Sequence, residues 1–196
     1  ALRVLPSPHM AVMIPSRIPA EYLDSPGHQA EREMYEALGD ELDARHEVYC
    51  WVDIMNVRPG SGPAQAEIDF LVAHPDRGVL AIEVKGGTIS RDVMSNEWFS
   101  RDRSGHSFAI KDPFKQADRA RFAVRRRLSE AKAGAPPMTD GWAVAFPDVR
   151  EPTFELGAGA SRELLLCSSD FARIPARIDG LFEHWAAMQG GPAPPG

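Results

Sequence analysis

The sequence has 196 residues, 43% of them hydrophobic, which suits one domain with a sizeable core and is short for two. The net charge of −6 argues against a protein that coats nucleic acid by charge alone, and no segment approaches the roughly 20 apolar residues of a membrane span. Two cysteines without C-x-x-C spacing, and no signal-peptide pattern, favour the cytoplasm and indicate neither a disulfide framework nor a zinc site.

The chain begins with a proline-rich segment, and we expect residues 1–24 to form an extended N-terminal leader. A helix is predicted over residues 28–42, where apolar side chains recur at helical spacing. Glu31 falls on this apolar stripe. It is therefore either a site residue or a carboxylate that reaches water from the edge of the stripe.

The next part of the sequence predicts strands. Residues 46–56 form the first, and a Gly- and Pro-rich loop is expected at residues 59–64. Residues 66–85 consist of two apolar runs on either side of Pro75-Asp-Arg-Gly78, which is the pattern of an antiparallel hairpin. Both runs are nearly continuous in apolar residues, as expected for strands buried on both sides.

Three charged residues interrupt this apolar hairpin. Because side chains alternate along a strand, Asp69 is expected opposite Glu83, with Lys85 on the same face. Two carboxylates this close repel each other unless a cation lies between them, and their oxygens are ligands that Mg²⁺ and Mn²⁺ prefer. The alternative is a salt-bridged face turned to solvent. The apolar surroundings favour the metal site, since a buried charge needs a partner or a metal.

The longest predicted helix, residues 112–132, comes after two or three short edge strands expected between residues 88 and 110. Asp112 is its predicted N-cap, with proline at the next position. Several basic residues lie outside the packing stripe of this helix. They are candidates for phosphate contacts, or else form an ordinary solvated face. The candidates are Arg119, Arg125 and Arg126.

Two further strands, at residues 142–146 and 163–167, precede a last helix that begins at Asp170 or Ile174 and ends at Met188. The final residues have the Pro- and Gly-rich composition of a linker, as though another domain came after them. These patterns divide the chain into three parts. The parts are a leader (1–24), a single domain with a C-terminal strand and helix as its extension (25–188), and a linker or tail (189–196).

The motifs Glu67-Ile-Asp69 and Glu83-Val-Lys-Gly-Gly87 resemble those of the PD-(D/E)XK nuclease superfamily. More narrowly, with Glu31 on the first helix, Trp98, and Gln116 in Asp-Pro-Phe-Lys-Gln, the sequence resembles the nuclease-related domain called NERD. The resemblance covers about residues 25–132. A later segment, Trp142-Ala-Val-Ala-Phe-Pro-Asp-Val149, is similar to the segment found after this domain in fusions with a UvrD-like helicase.

The resemblance implies an α/β fold, with a mixed central sheet flanked by helices in a restriction-endonuclease-like core. It also implies a divalent-metal-dependent nuclease that hydrolyses phosphodiester bonds of DNA with little sequence specificity. The implied cofactor is Mg²⁺ or Mn²⁺, and its ligands would be Asp69, Glu83, the carbonyl of Val84, and Glu31. The implied catalytic residues are Asp69, Glu83, Lys85 and Gln116.

Lys85 would orient the attacking water or stabilise charge on the phosphate, and Gln116 would position Lys85 or the DNA backbone. Two other classes of function stay open. One is a non-catalytic DNA-binding or docking module. The other is a partner-interaction module of a larger helicase or ATPase. The chain has no G-x-x-x-x-G-K-[ST] phosphate loop, so any dependence on ATP must come from a partner.

Overall fold

A computed structural model describes residues 10–58, 61–131, 138–157 and 159–190, without the side chains of Pro26 and of residues 55–66. In these ranges the strands are β1 (Val12–Ile14), β2 (Glu47–Arg58), β3 (Ser61–His74), β4 (Gly78–Val84), β5 (Thr88–Asp92), β6 (Glu97–Arg101), β7 (Ser107–Ile110), β8 (Asp140–Phe146) and β9 (Leu165–Cys167). The α-helices are α1 (Ala20–Leu23), α2 (Gln29–Glu41), α3 (Pro113–Ala131) and α4 (Ile174–Met188). None of these helices has the length and apolar character needed to cross a membrane.

A six-stranded mixed sheet with the order β1-β2-β3-β4-β8-β9 forms the centre of the molecule. Strands β2, β3 and β4 pair in antiparallel fashion, whereas β1 on β2, β8 on β4, and β9 on β8 are parallel. All seven residues of β4 are buried, and so are all seven of β8. The predicted α/β class, with a mixed central sheet flanked by helices, is confirmed.

The β3–β4 hairpin has the predicted turn. Gly78 ends it with φ +105°, and a Cβ at this position would lie 1.9 Å from the carbonyl oxygen of Thr139. Only glycine fits there without strain. The register pairs His74 with Gly78 and Phe70 with Ile82.

Helices cover both faces of the sheet. Helix α3 begins at its predicted cap, Asp112, whose Oδ1 accepts hydrogen bonds from the backbone N–H groups of Phe114 and Lys115. The ring of Phe114 packs edge-on against Trp142 and Phe146, which places α3 on the face of the sheet that carries these two side chains. Helices α2 and α4 contact each other and cover the other face. The Phe182 ring of α4 lies 6.3 Å from that of His74 there.

The strands predicted between residues 88 and 110 form a separate three-stranded antiparallel sheet, β5-β6-β7, rather than edges of the central sheet. Trp98 explains why this small sheet lies against the body of the molecule. Its ring is only 2% exposed and packs within 5.6–6.3 Å of the rings of Phe114, Phe146 and Phe154. Trp98 is therefore a core residue.

Two expectations for irregular segments were wrong. In the described part of the leader, β1 is extended and adds a parallel strand to β2, whereas α1 departs from the expectation by forming a short helical turn. The loop expected at 59–64 is shorter, because β3 begins at Ser61 and pairs its backbone with β2 from there onward. At β3, backbone hydrogen bonding to β2 outweighs the local preference of Pro and Gly for loops. Residues 1–9, 59–60 and 191–196 lie outside the described residues.

Candidate active site

The predicted pair of carboxylates lies where β3 and β4 leave their ladder. The ladder ends where Phe70 faces Ile82, and continuing that register by one step brings Asp69 opposite Glu83. The Oδ2 atom of Asp69 accepts a hydrogen bond of 2.7 Å from the backbone N–H of Val84. The Nζ atom of Lys85 donates to Oε1 of Glu83 at 2.5 Å. Two carboxylates and one ammonium thus meet at the carboxyl end of β4.

Burial sets the electrostatics of this group. Burial, and then the nearby charge of Glu83, raise the pKa of Asp69 to about 8. Burial also raises the pKa of Glu83, which is only 5% exposed, although Lys85 opposes this shift. Burial alone would lower the pKa of Lys85, but the carboxylates of Glu83 and Asp69 outweigh it and raise that pKa. One ammonium therefore does not compensate two carboxylates, and the site favours a further positive charge.

A cleft of about 990 Å³ opens beside these residues. Its floor contains the end of β4, with Val84 and Lys85. Its sides come from the first turns of α2 and α3, which contribute Glu31 and Gln116, and from the small sheet. The cleft thus brings together four predicted site residues from three distant parts of the sequence.

Two side-chain oxygens at this cleft lack a hydrogen-bond partner among the described residues. They are Oε2 of Glu31 and Oε1 of Gln116, both buried. The other carboxylate oxygen of Glu31 lies 3.4 Å from Nδ1 of His28. A buried acceptor without a donor is costly, and such atoms are typical of a place where a ligand or ion supplies the missing contact.

The oxygen atoms at this site suit a hard divalent cation as ligands. Asp69, Glu83, the Val84 carbonyl and the orphan oxygen of Glu31 are all oxygen ligands, as Mg²⁺ and Mn²⁺ prefer. The side chains are not arranged as a finished metal site, however. In the part of the chain that the structure describes, no three His, Cys, Asp or Glu side chains are grouped closely enough to hold a metal ion. Asp69 is engaged by Val84 N–H and Glu83 by Lys85 instead.

Comparison with known protein families matches residues 26–146 to the nuclease-related domain, NERD. The chain belongs to the NERD family. The match spans α2, the carboxylate hairpin, the small sheet, α3 and β8, so it includes every residue that lines the cleft except Asp148. Neither the curated proteins nor the solved structures gave a significant match.

Asp148 lines the cleft just beyond the matched residues, and the sequence assigned no role to it. Its Oδ2 atom accepts a 2.7 Å hydrogen bond from the backbone N–H of Gly87, and its Oδ1 lies 3.7 Å from the guanidinium of Arg103. The sequence feature that could have identified Asp148 is its position just after β8. This strand runs parallel to β4 and therefore ends at the same edge of the sheet.

The Gly86-Gly87 pair follows the end of β4, next to Lys85. Its backbone lies close to other parts of the protein. A Cβ at Gly87, which has φ +84°, would lie 2.5 Å from Oγ of Ser100 and 2.6 Å from the carbonyl of Arg101. A Cβ at Gly86 would lie 3.0 Å from that of Ala30. The two glycines thus let the end of β4 fit between α2 and the small sheet.

An aromatic group behind Asp69 was also missed. Trp51 lies between the residue pairs that bracket Asp69 in the β2–β3 ladder, and its φ of 53° is left-handed. Tyr22 stacks on its ring at 4.2 Å and Tyr35 at 5.8 Å. A bulky residue in this conformation costs about 1–3 kcal/mol, so the surrounding contacts must hold it there. Positive φ leaves no period-two signal, which is why the strand pattern did not reveal it.

The basic residues of α3 are not brought to the cleft. Arg125 donates two hydrogen bonds to Oδ1 of Asp140, and Arg126 pairs with Glu130. Asp140 pairs with Val79 at the start of β4, the end opposite to Lys85. Arg119 is exposed on the same helix, and none of the three lines the cleft. Their contact with nucleic acid stays a prediction.

Proposed function

We propose that this NERD domain is a divalent-metal-dependent nuclease that hydrolyses phosphodiester bonds of DNA with little sequence specificity. One observation carries the proposal. The buried carboxylates of Asp69 and Glu83 lie beside a single ammonium, that of Lys85, and Lys85 lines an open cleft. Burying two carboxylates with only one ammonium lowers the stability of the fold. Such a group is therefore typical of a functional site.

Asp69 and Glu83 would hold the cation together with the carbonyl of Val84, and Glu31 would contribute from the side of the cleft. A bound Mg²⁺ or Mn²⁺ supplies Lewis-acid polarisation of the phosphate and a lower pKa for the attacking water. The raised pKa values of the two carboxylates support this assignment, because a cation relieves the repulsion that raises them. So does the unpartnered oxygen of Glu31.

Lys85 would provide positive charge to the phosphate as negative charge develops on it. Its pKa is raised, so the ammonium keeps its proton at neutral pH. Gln116 lies on the same cleft with an unpartnered Oε1, and would orient Lys85 or the DNA backbone. Recognition through phosphates explains why we expect little sequence preference and strong sensitivity to salt.

The test is incubation of the purified chain with supercoiled and linear DNA in Mg²⁺, in Mn²⁺ and in EDTA. We expect cleavage with a metal and none in EDTA, and loss of cleavage in Asp69→Asn, which keeps the shape but removes a charge. Asp118→Asn, outside the cleft on α3, is the matched control and should cleave like the wild type. Equal cleavage by Asp69→Asn and the wild type would contradict the proposal.

A second candidate is a non-catalytic DNA-binding or docking module, joined to a helicase or ATPase in the cytoplasm. It is favoured by the ion pair between Glu83 and Lys85 and by the hydrogen bond that occupies Asp69. In such a module the three residues would serve to hold the fold together. Tight DNA binding in EDTA, without cleavage when either metal is restored, would support this module over the nuclease.

A further inference from the structure

The wall of the cleft opposite the first turn of α2 is formed by the small sheet and has an aromatic side chain at its surface. Phe108 on β7 is 50% exposed although it lies among the residues that line the cleft. Strand β7 pairs with β6 so that Phe108 faces Ser100. Side chains that face each other across a ladder lie on the same side of a sheet.

The position of Ser100 shows where that side points. Its hydroxyl donates a hydrogen bond of 2.7 Å to the carbonyl oxygen of Gly86, one residue beyond Lys85. The face of the small sheet that carries Ser100 and Phe108 is therefore turned toward the end of β4. Phe108 is an exposed ring directed into the cleft, rather than a stray apolar residue on an outer surface.

The two sides of the cleft differ in chemistry. The floor carries Lys85 and the α2 side carries Glu31, whereas β7 contributes Phe108, Ala109 and Ile110. The small sheet also brings charged residues to the cleft, and two of its cations, Arg101 and Lys111, have no ion-pair partner among the described residues. An apolar strip with cations at its ends thus faces the charged floor.

We propose that the cleft binds an unpaired stretch of DNA, with a base stacked on Phe108 and the phosphates directed toward Lys85, Arg101 and Lys111. An aromatic ring stacks on any base, because every base has a π-face. In a duplex these faces are covered by neighbouring base pairs, and uncovering one costs about a few kcal/mol. A single strand avoids that cost. This inference rests on the proposed function and specifies its substrate as single-stranded DNA or a frayed end.

The test is the binding of a labelled single strand, and of the same sequence as a blunt duplex, measured by fluorescence anisotropy in EDTA. We expect the wild type to prefer the single strand. Phe108→Ala should bind the single strand about tenfold more weakly, the loss typical of one stacking contact, and the duplex unchanged. Phe108→Trp keeps an aromatic ring and should retain the preference. This second variant shows whether a loss in Phe108→Ala comes from the missing ring or from poor folding.

The chain offers a matched control in Phe122, which is also 50% exposed but lies on α3, away from the cleft. Phe122→Ala should bind both DNAs like the wild type. Equal losses for single strand and duplex in Phe108→Ala, or no loss for either, would overturn the stacking proposal. Because binding is measured in EDTA, its outcome is independent of cleavage. If the protein cleaves DNA but its preference for single strands does not depend on Phe108, only the stacking inference is wrong. If the preference is present but no DNA is cleaved, only the proposed nuclease activity is wrong.

Discussion

The parallel pair β4–β8 carries a buried carboxylate at each end, and the two ends are built differently. At the amino end, Asp140 is 3% exposed and receives two hydrogen bonds from Arg125, with Arg121 at 3.9 Å. At the carboxyl end, Glu83 is 5% exposed and shares Lys85 with a second carboxylate, Asp69. At the amino end Arg121 also pairs with Asp118 at 3.0 Å, so cations and carboxylates balance there, whereas at the carboxyl end one ammonium faces two carboxylates.

The comparison shows that burial of a carboxylate does not by itself mark a site. Asp140 is equally buried, yet its charge is matched by arginines of the helix that packs on it, and α3 is fixed to the sheet as a result. The Asp69–Glu83 pair lacks such compensation, and the one ammonium beside it, that of Lys85, lines a cleft. A shortage of positive charge, together with access, is what distinguishes a functional carboxylate from a structural one.

The sharpest test of this difference is Lys85→Ala. If the carboxyl end is catalytic, cleavage should fall by about 10²–10³, as when a contact specific to the transition state is lost. Circular dichroism should show a folded protein. The control is Lys115→Ala on α3, whose side chain is exposed outside the cleft and should keep the wild-type rate. A Lys85→Ala protein that cuts DNA at the wild-type rate would make both ends of β4 structural.

Metal binding should also separate the two ends. In Mn²⁺ at about 100 times its Kd, the Tm of the wild type should rise by roughly 5–10 °C, because the ion binds only the native state. Asp69→Asn should lose most of that rise while remaining folded in EDTA. The measurement is a thermal scan with and without metal. The same rise in Asp69→Asn would place any bound metal elsewhere.

At the amino end we expect an effect on stability. Arg125→Ala should lower the free energy of unfolding by about 2 kcal/mol, less than for a fully buried pair, because Arg125 is half exposed. Urea denaturation measures the loss, and Arg119→Ala is the control on the same helix. The predicted phosphate contact of Arg125 requires a further change: the slope of log affinity against log salt should fall by about one. Lost stability with an unchanged slope would assign Arg125 to the fold alone.

An effect of similar size concerns the close packing around the cleft. Gly87→Ala should cost about 1–3 kcal/mol of stability, because an L-residue at φ +84° is strained and its Cβ would meet Ser100. Gly105→Ala is a close control, since Gly105 has φ +89° but open space around its Cβ position. The difference between the two variants in urea denaturation measures the contact without the backbone strain. Equal losses would mean that the small sheet tolerates displacement from β4.

Much of the carboxylate hairpin was predictable from sequence, because its information is local. The alternation of side chains assigned Asp69, Glu83 and Lys85 to one face, and the Pro75–Gly78 turn set the register that the ladder has. The cap at Asp112 was predicted for the same reason, since an N-cap bonds only to the next residues. Gln116, and the ligand role of Glu31, came instead from family resemblance, and the cleft contains both residues.

The sequence by itself thus determined the hairpin, its charged face and the main helices, because their periodicity and turns act over a few residues. Tertiary structure decided which charges are compensated. Nothing near Arg125 in the sequence shows that it binds Asp140, 15 residues away, and nothing near Gly87 shows that it bonds to Asp148, 61 residues away. Such partners are selected by sheet order and helix packing, and those depend on the burial of the whole apolar core rather than on any one segment.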